Sequence, residues 1–172
     1  FLMASGMAGN RLIADANDPA LADFRAALAA VMRDLAIQIV RDGEGATKLV
    51  TIDIAGAKTN AIARQIGLAI ANSPLVKTAI AGEDANWGRI VMAIGKLGIG
   101  IPSDAISIDI GGYAVARDGM RIADYDETPI AAHMTGQMID LAVTIGTGDG
   151  TARVWTCDLT HGYISINADY RS

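Results

Sequence analysis

The sequence predicts an α+β or layered α/β protein in which helices pack on a sheet. Two long stretches carry apolar residues at helical spacing, and at least five shorter ones alternate apolar and polar residues as strands do. Of the 172 residues 51% are hydrophobic but only 5% are aromatic, so the core should be aliphatic, built from Ala, Ile, Leu, Val and Met. That length suits one domain with a sizeable core.

In chain order, Phe1 to Gly9 (FLMASGMAG) reads as the end of a buried strand running into a glycine turn, so the chain is expected to be a fragment or a processed product that starts inside its fold. Asp18-Pro19 then supplies an N-cap and a first helical position. Leu21, Phe24, Leu28, Val31, Met32, Leu35 and Ile39 follow at helical spacing up to Gly43, and their stripe should face the core. Thr47 to Ile54 alternates as a strand, with Val50, Ile52 and Ile54 on the buried face. Lys58 to Asn72 is an Ala-rich helix carrying Ile62, Ile66 and Ile70, and Asn72-Ser73-Pro74 ends it. Leu75 to Ala81 fits strand or helix by period alone; its shortness and Gly82 favour a strand. A buried helix follows through Lys96, capped by Asp84 or Asn86, with Trp87 as a core aromatic at its start.

The second half has shorter elements separated by glycines. Ala105 to Ile110, Tyr113 to Ala116 and Met120 to Ala123 read as strands, the last two joined at Arg117-Asp118-Gly119. Ile130 to Met138 reads as a helix after Thr128-Pro129. Ile139 to Gly146 and Ala152 to Leu159 are strands, and Thr147-Gly148-Asp149-Gly150 between them reads as a hairpin turn. Thr160 caps a last helix covering Tyr163 and Ile166, and Asn167 to Ser172 forms a polar tail.

Composition narrows the function classes. Net charge is −5 and the 14 basic residues form no stripe, which argues against nucleic acid or an anionic membrane as partner. No apolar run reaches the roughly 20 residues a bilayer span needs. Cys157 is the sole cysteine, so no internal disulfide or CxxC motif exists and a reducing compartment is expected. The cluster at 146–150 lacks the Lys-Ser/Thr of a phosphate loop, and Gly111-Gly112 is likewise read as a turn. His133 and His161 lack metal-ligand spacing, so no metal site is expected; Cys157 reads as a small core residue.

One stretch stands out chemically. In Arg41 to Ala57, Glu44 sits between Gly43 and Gly45 in a tight turn from helix to strand. The acidic pairs Asp42/Glu44 and Glu83/Asp84 are of the type that binds a primary ammonium group through charge-assisted hydrogen bonds.

Three segments carry a resemblance: DGEGATK at 42–48, SPLVKTAIAGEDANWGRI at 73–90 and DLTHGYISINADYRS at 158–172. With them the whole chain resembles the C-terminal part of the β chain of the ornithine acetyltransferase family, the bifunctional glutamate N-acetyltransferases and amino-acid acetyltransferases of arginine biosynthesis. The resemblance implies a layered, self-cleaving fold of N-terminal-nucleophile type, cytoplasmic, assembled with an α chain as an α2β2 heterotetramer. It implies acetyl transfer from N2-acetylornithine to glutamate through an acetylated N-terminal threonine. Residue 1 is Phe, so that nucleophile is absent from the residues 1–172 and no catalytic residue is assigned among them. What carries over is substrate binding: Glu44, Asn167 and Ser172, the last standing where many relatives have Thr. No cofactor is implied beyond acetyl-CoA as a possible acetyl donor. Two alternatives stay open, an aminopeptidase or amidase on the same scaffold and a non-catalytic amino-acid-binding subunit.

Overall fold

The structure, a computed structural model, describes residues 2–170. By internal contacts the chain divides into two units, Phe1–Ala36 and Ile37–Ser172. In the first, residues 2–9 form no strand: the backbone bends and turns at Gly6 to Ala8, and Leu2, Met3 and Met7 are largely exposed. The expected strand is corrected on that stretch, and Phe1 lies outside the described residues. Apolar composition alone does not make a strand without a ladder to join. Asp18 accepts a hydrogen bond from Ala20 N and starts a helical turn at Pro19–Leu21, which leads into α1 (Ala22–Arg41). Capping and length are as the sequence predicts, but no residue of α1 is buried; Phe24, Val31, Met32, Leu35 and Ile39 are each about half exposed or more. Periodicity tells which face a helix can bury, not which surface will cover it.

The second unit holds a six-stranded mixed sheet. Its strands are β1 (Leu49–Gly56), β2 (Ile106–Ile110), β3 (Tyr113–Arg117), β4 (Met120–Arg121), β5 (Met138–Ile145) and β6 (Gly148–Cys157). Their spatial order is β4-β3-β2-β5-β1-β6. Only β1 and β5 run parallel; β6 pairs antiparallel with β1 on its other side, with Asp53 opposite Arg153. One face of the sheet is buried through Val50, Ile52, Ile54, Ile139, Leu141 and Val143. The helices α2 (Asn60–Ala71), α3 (Pro74–Ala81), α4 (Trp87–Gly95) and α5 (Glu127–Met134) contribute Ile66, Ile70, Val76, Ile90, Ile94 and Met134 to the same core. The alternate β5 residues Asp140, Ala142 and Thr144 stay exposed, the pattern of a sheet packed on one side. The last helix, α6 (His161–Asp169), starts at Thr160.

Four readings change. Leu75–Ala81 is helix α3, because Ser73 caps it by accepting from Val76 N and Pro74 occupies the first turn. The same Ser-Pro pair that ends α2 therefore begins the next helix. The helix predicted at 130–138 is α5, which starts three residues earlier under the Asp126 cap and ends at Met134. The polar tail is helical as far as Asp169. Finally, 147–150 is no hairpin turn: β5 and β6 never pair, since β1 lies between them. The chain from Ile145 to Gly148 instead crosses the end of β1, where a Cβ on Gly148 would sit 2.2 Å from Ala57 O. The other turns hold: Gly111-Gly112 links β2 to β3 and Asp118-Gly119 links β3 to β4, all four residues at positive φ, as two-residue hairpins require.

Candidate functional site

The Glu44 turn connects the end of α1 to the start of β1. Gly43 N donates to Val40 O at the helix end, Ala46 N donates to Gly43 O, and Gly45 takes φ +67°. Of the two flanking glycines only Gly45 uses its freedom to turn left-handed; at Gly43 space is tight, since a Cβ there would lie 3.1 Å from Cys157 Sγ.

Opposite this turn stands α6. Its Asn167 Nδ2 donates to Glu44 Oε2 at 2.7 Å and to Tyr163 O, one turn earlier, at 2.9 Å. Two of the three residues singled out for substrate binding, separated by 123 positions, are thus in direct contact, and both are exposed. Ser172, the third, lies outside the described residues. With Nδ2 spent on Glu44 and Tyr163, the Asn167 amide presents an oxygen beside a carboxylate, an acceptor pair suited to an ammonium group.

The turn and helix are joined by more than this bond. Asp158, 3% exposed, accepts from Thr47 N (2.8 Å), Thr47 Oγ1 (2.5 Å) and Lys48 N (3.0 Å). Thr160 Oγ1 donates to Gly45 O at 2.6 Å and accepts from Gly162 N at 3.0 Å. A Cβ on Gly45 would lie 2.4 Å from Tyr163 N, so the two backbones meet where no side chain fits. Sequence reasoning gave Thr160 as a helix cap but missed its second bond and all of Asp158; an Asp-x-Thr step between strand and helix was the available signal.

The second acidic pair is committed elsewhere. Glu83 accepts from Lys48 Nζ at 3.4 Å, and Asp84 accepts from Asn86 Nδ2 at 3.1 Å. Lys48, 8% exposed, also donates to Met134 O and Gly136 O. Two clefts lie near the turn. One, about 620 Å³, is lined by Arg41, Thr47, Lys48, Gln137 and Met138 among others; the second, about 430 Å³, by Thr78, Leu159, His161 and Ile164 among others. Neither is lined by Glu44 or Asn167.

The remaining candidates have structural surroundings. His133 Nε2 accepts from Asp140 N, and its ring fills the space a Cβ on Gly111 would need. His161 is exposed at the start of α6. Cys157 is partly buried, with Lys77 Nζ 3.8 Å from its sulfur. Among the described residues no group of His, Cys, Asp and Glu is placed to hold a metal, and no helix is long and apolar enough to cross a membrane.

Comparison with known proteins bears out the family expected from the motifs. The chain is 59% identical over 171 residues to the arginine biosynthesis bifunctional protein ArgJ of Gluconobacter oxydans, covering 99% of this chain and 40% of that protein. Its counterpart in Zymomonas mobilis is 54% identical, covering 98% and 41%. The chain therefore spans about two fifths of the length of the curated relatives it matches. The crystal structure of the ArgJ protein from Bacillus halodurans superposes with a TM-score of 0.89 at 40% identity, over 98% of this chain and 78% of that one. That likeness bears out the layered α/β fold. The model of the ArgJ family matches residues 1–172 throughout, and the chain belongs to that family.

Proposed function

We propose that this chain is the substrate-gripping portion of an acetyltransferase that moves acetyl from N2-acetylornithine to glutamate. The observation that carries the reading is the 2.7 Å bond between Asn167 and Glu44, which brings two distant residues into one acceptor pair at the chain's surface. Such a pair holds the amino-acid part of the substrate through its ammonium and orients the acetyl group. The attacking hydroxyl is a threonine outside residues 1–172. It adds to the acetyl carbonyl and expels ornithine as the free amine; the glutamate amine then takes the acetyl group from the threonine ester. A companion α chain from the same self-cleaved precursor completes the site in an α2β2 cytoplasmic assembly, with Ser172 as a further contact. No cofactor is needed, although acetyl-CoA can serve as donor.

The test uses the full-length processed enzyme. Glu44→Gln removes the charge and keeps the shape, and KM for N2-acetylornithine should rise roughly 10- to 100-fold, as loss of a charged hydrogen bond predicts. Mass spectrometry after donor alone should show an acetylated threonine. An unchanged KM sinks the role of Glu44, and acetyl release to water outrunning transfer to glutamate replaces the transferase by an amidase.

A further inference from the structure

We infer that Asp158 and Thr160 are positioning residues that clamp the Glu44 turn onto α6 and so set Glu44 and Asn167 against each other. The inference rests on the reading of Glu44 as a substrate contact and goes beyond it, since the bonds of both clamp residues go to the turn, the start of β1 and the first turn of α6.

The short segment between β6 and α6 holds both clamp residues. Asp158 is nearly fully buried, and a buried carboxylate persists only where donors compensate it. Its three bonds all go to Thr47 and Lys48, two residues beyond the glycine that closes the Glu44 turn. Lys48's own ammonium is directed elsewhere, to Met134 O, Gly136 O and Glu83, so Asp158 is held by backbone and hydroxyl donors rather than by that cation. Thr160 then grips the other side of the turn, through Gly45 O. Residues 45, 47 and 48 are therefore fixed by residues 158 and 160.

Helix geometry carries the clamp to the site. Asn167 lies seven residues after Thr160, two turns along the same face and about 10 Å up the axis. The face of α6 that grips Gly45 at its base thus presents the amide to Glu44 above. Close contact between Gly45 and Gly162, 3.1 Å from a Gly162 Cβ position to Gly45 Cα, leaves no slack between the two backbones. Loosening the base should tilt the amide away from the carboxylate.

The substitutions separate clamping from helix capping and from general stability. Thr160→Asp still caps α6 by accepting from Gly162 N but has no proton for Gly45 O, whereas Thr160→Ser keeps both bonds. In the full-length enzyme Thr160→Asp and Asp158→Asn should raise KM for N2-acetylornithine about tenfold, with kcat changing less. Thr160→Ser should return KM to near its starting value. In a Glu44→Gln background Thr160→Asp should add almost nothing, because the contact it positions is already gone. The inference is overturned if both substitutions lower Tm while KM stays put, or if their effect on KM adds in full to that of Glu44→Gln. Should Asp158→Asn fail to fold, the Thr160 pair decides alone. Glu44→Gln with unchanged KM removes the underlying reading and the clamp together; a raised KM there beside an unaffected Thr160→Asp removes the clamp only.

Discussion

The two ends of β1 are both crowded with glycine, yet they do different things. At the entry, near Leu49, Gly45 lets a turn approach α6 closely, with Gly43 against Cys157 of β6, while polar side chains from Glu44, Asp158, Thr160 and Asn167 join across it. At the exit, Gly56 at φ +78° lies against Gly146, and Gly148 and Gly150 lie against Ala57 and Thr59. The groups that meet there are backbone: Ala57 and Gly150 exchange both of their hydrogen bonds. A cleft of about 490 Å³ opens beside them, but its side chains are aliphatic apart from Lys58 and Thr147. Glycine clusters thus mark close backbone approach at both ends, and only the presence of converging carboxylate, amide and hydroxyl groups makes one of them a candidate site.

The largest effects should come from filling these approaches. Gly45→Ala forces a side chain into positive φ and onto Tyr163 N, and Gly148→Ala places a Cβ 2.2 Å from Ala57 O. Each should cost about 3 kcal/mol of stability, measured by urea unfolding. The comparison predicts that surviving activity splits them: Gly45→Ala raises KM for the acetylated amine as well, whereas Gly148→Ala leaves KM alone. Equal effects on KM would erase the distinction between the two ends.

What the sequence reveals follows the same division between local and distant causes. The start of α1, α2 and both two-residue turns are legible because their signals are local: Asp18-Pro19, the spacing of Ile62, Ile66 and Ile70, and the pairs Gly111-Gly112 and Asp118-Gly119. The exit of β1 is illegible for the opposite reason. Nothing within 139–157 announces that a strand from nearly a hundred residues earlier lies between β5 and β6. Leu75–Ala81 is misread because Ser73-Pro74 serves as stop and start at once. At the site, Gly43 and Gly45 mark the Glu44 turn, and family resemblance supplies Asn167. The Asp-x-Thr step marks Asp158 only locally; which residues it bonds stays hidden, because they lie some 110 residues away.

A smaller effect is expected at Lys48, which follows the Glu44 turn but points away from it. Its ammonium sits at the carboxyl end of α5, taking up Met134 O and Gly136 O as well as Glu83. Lys48→Met leaves those carbonyls without this donor and should lower stability by about 2 kcal/mol. If the entry of β1 owes its site to Asp158 and Thr160 rather than to Lys48, KM should change little beside that loss. A KM shift as large as that of Glu44→Gln would enlarge the site to include this amine.

The middle of β1 provides the baseline, and the smallest effect. Asp53 faces Arg153 on the neighbouring strand in a two-pronged pair, 2.6 and 2.8 Å, with side chains 43% and 58% exposed. Hydrogen bonding to Asp53, with its charge, raises the Arg153 pKa above its ordinary value. A raised pKa means the pair's contribution is complete below that ordinary value and is lost only as pH climbs through the raised one, so moderate base should not weaken it. Salt should, because both groups are open to solvent. Arg153→Ala is therefore expected to change stability by less than about 1 kcal/mol, with the difference shrinking in high salt and KM unchanged. A larger loss that resists salt would mean the exposed face of the sheet is covered in the assembled protein, and that β1 contributes along its whole length rather than at one end.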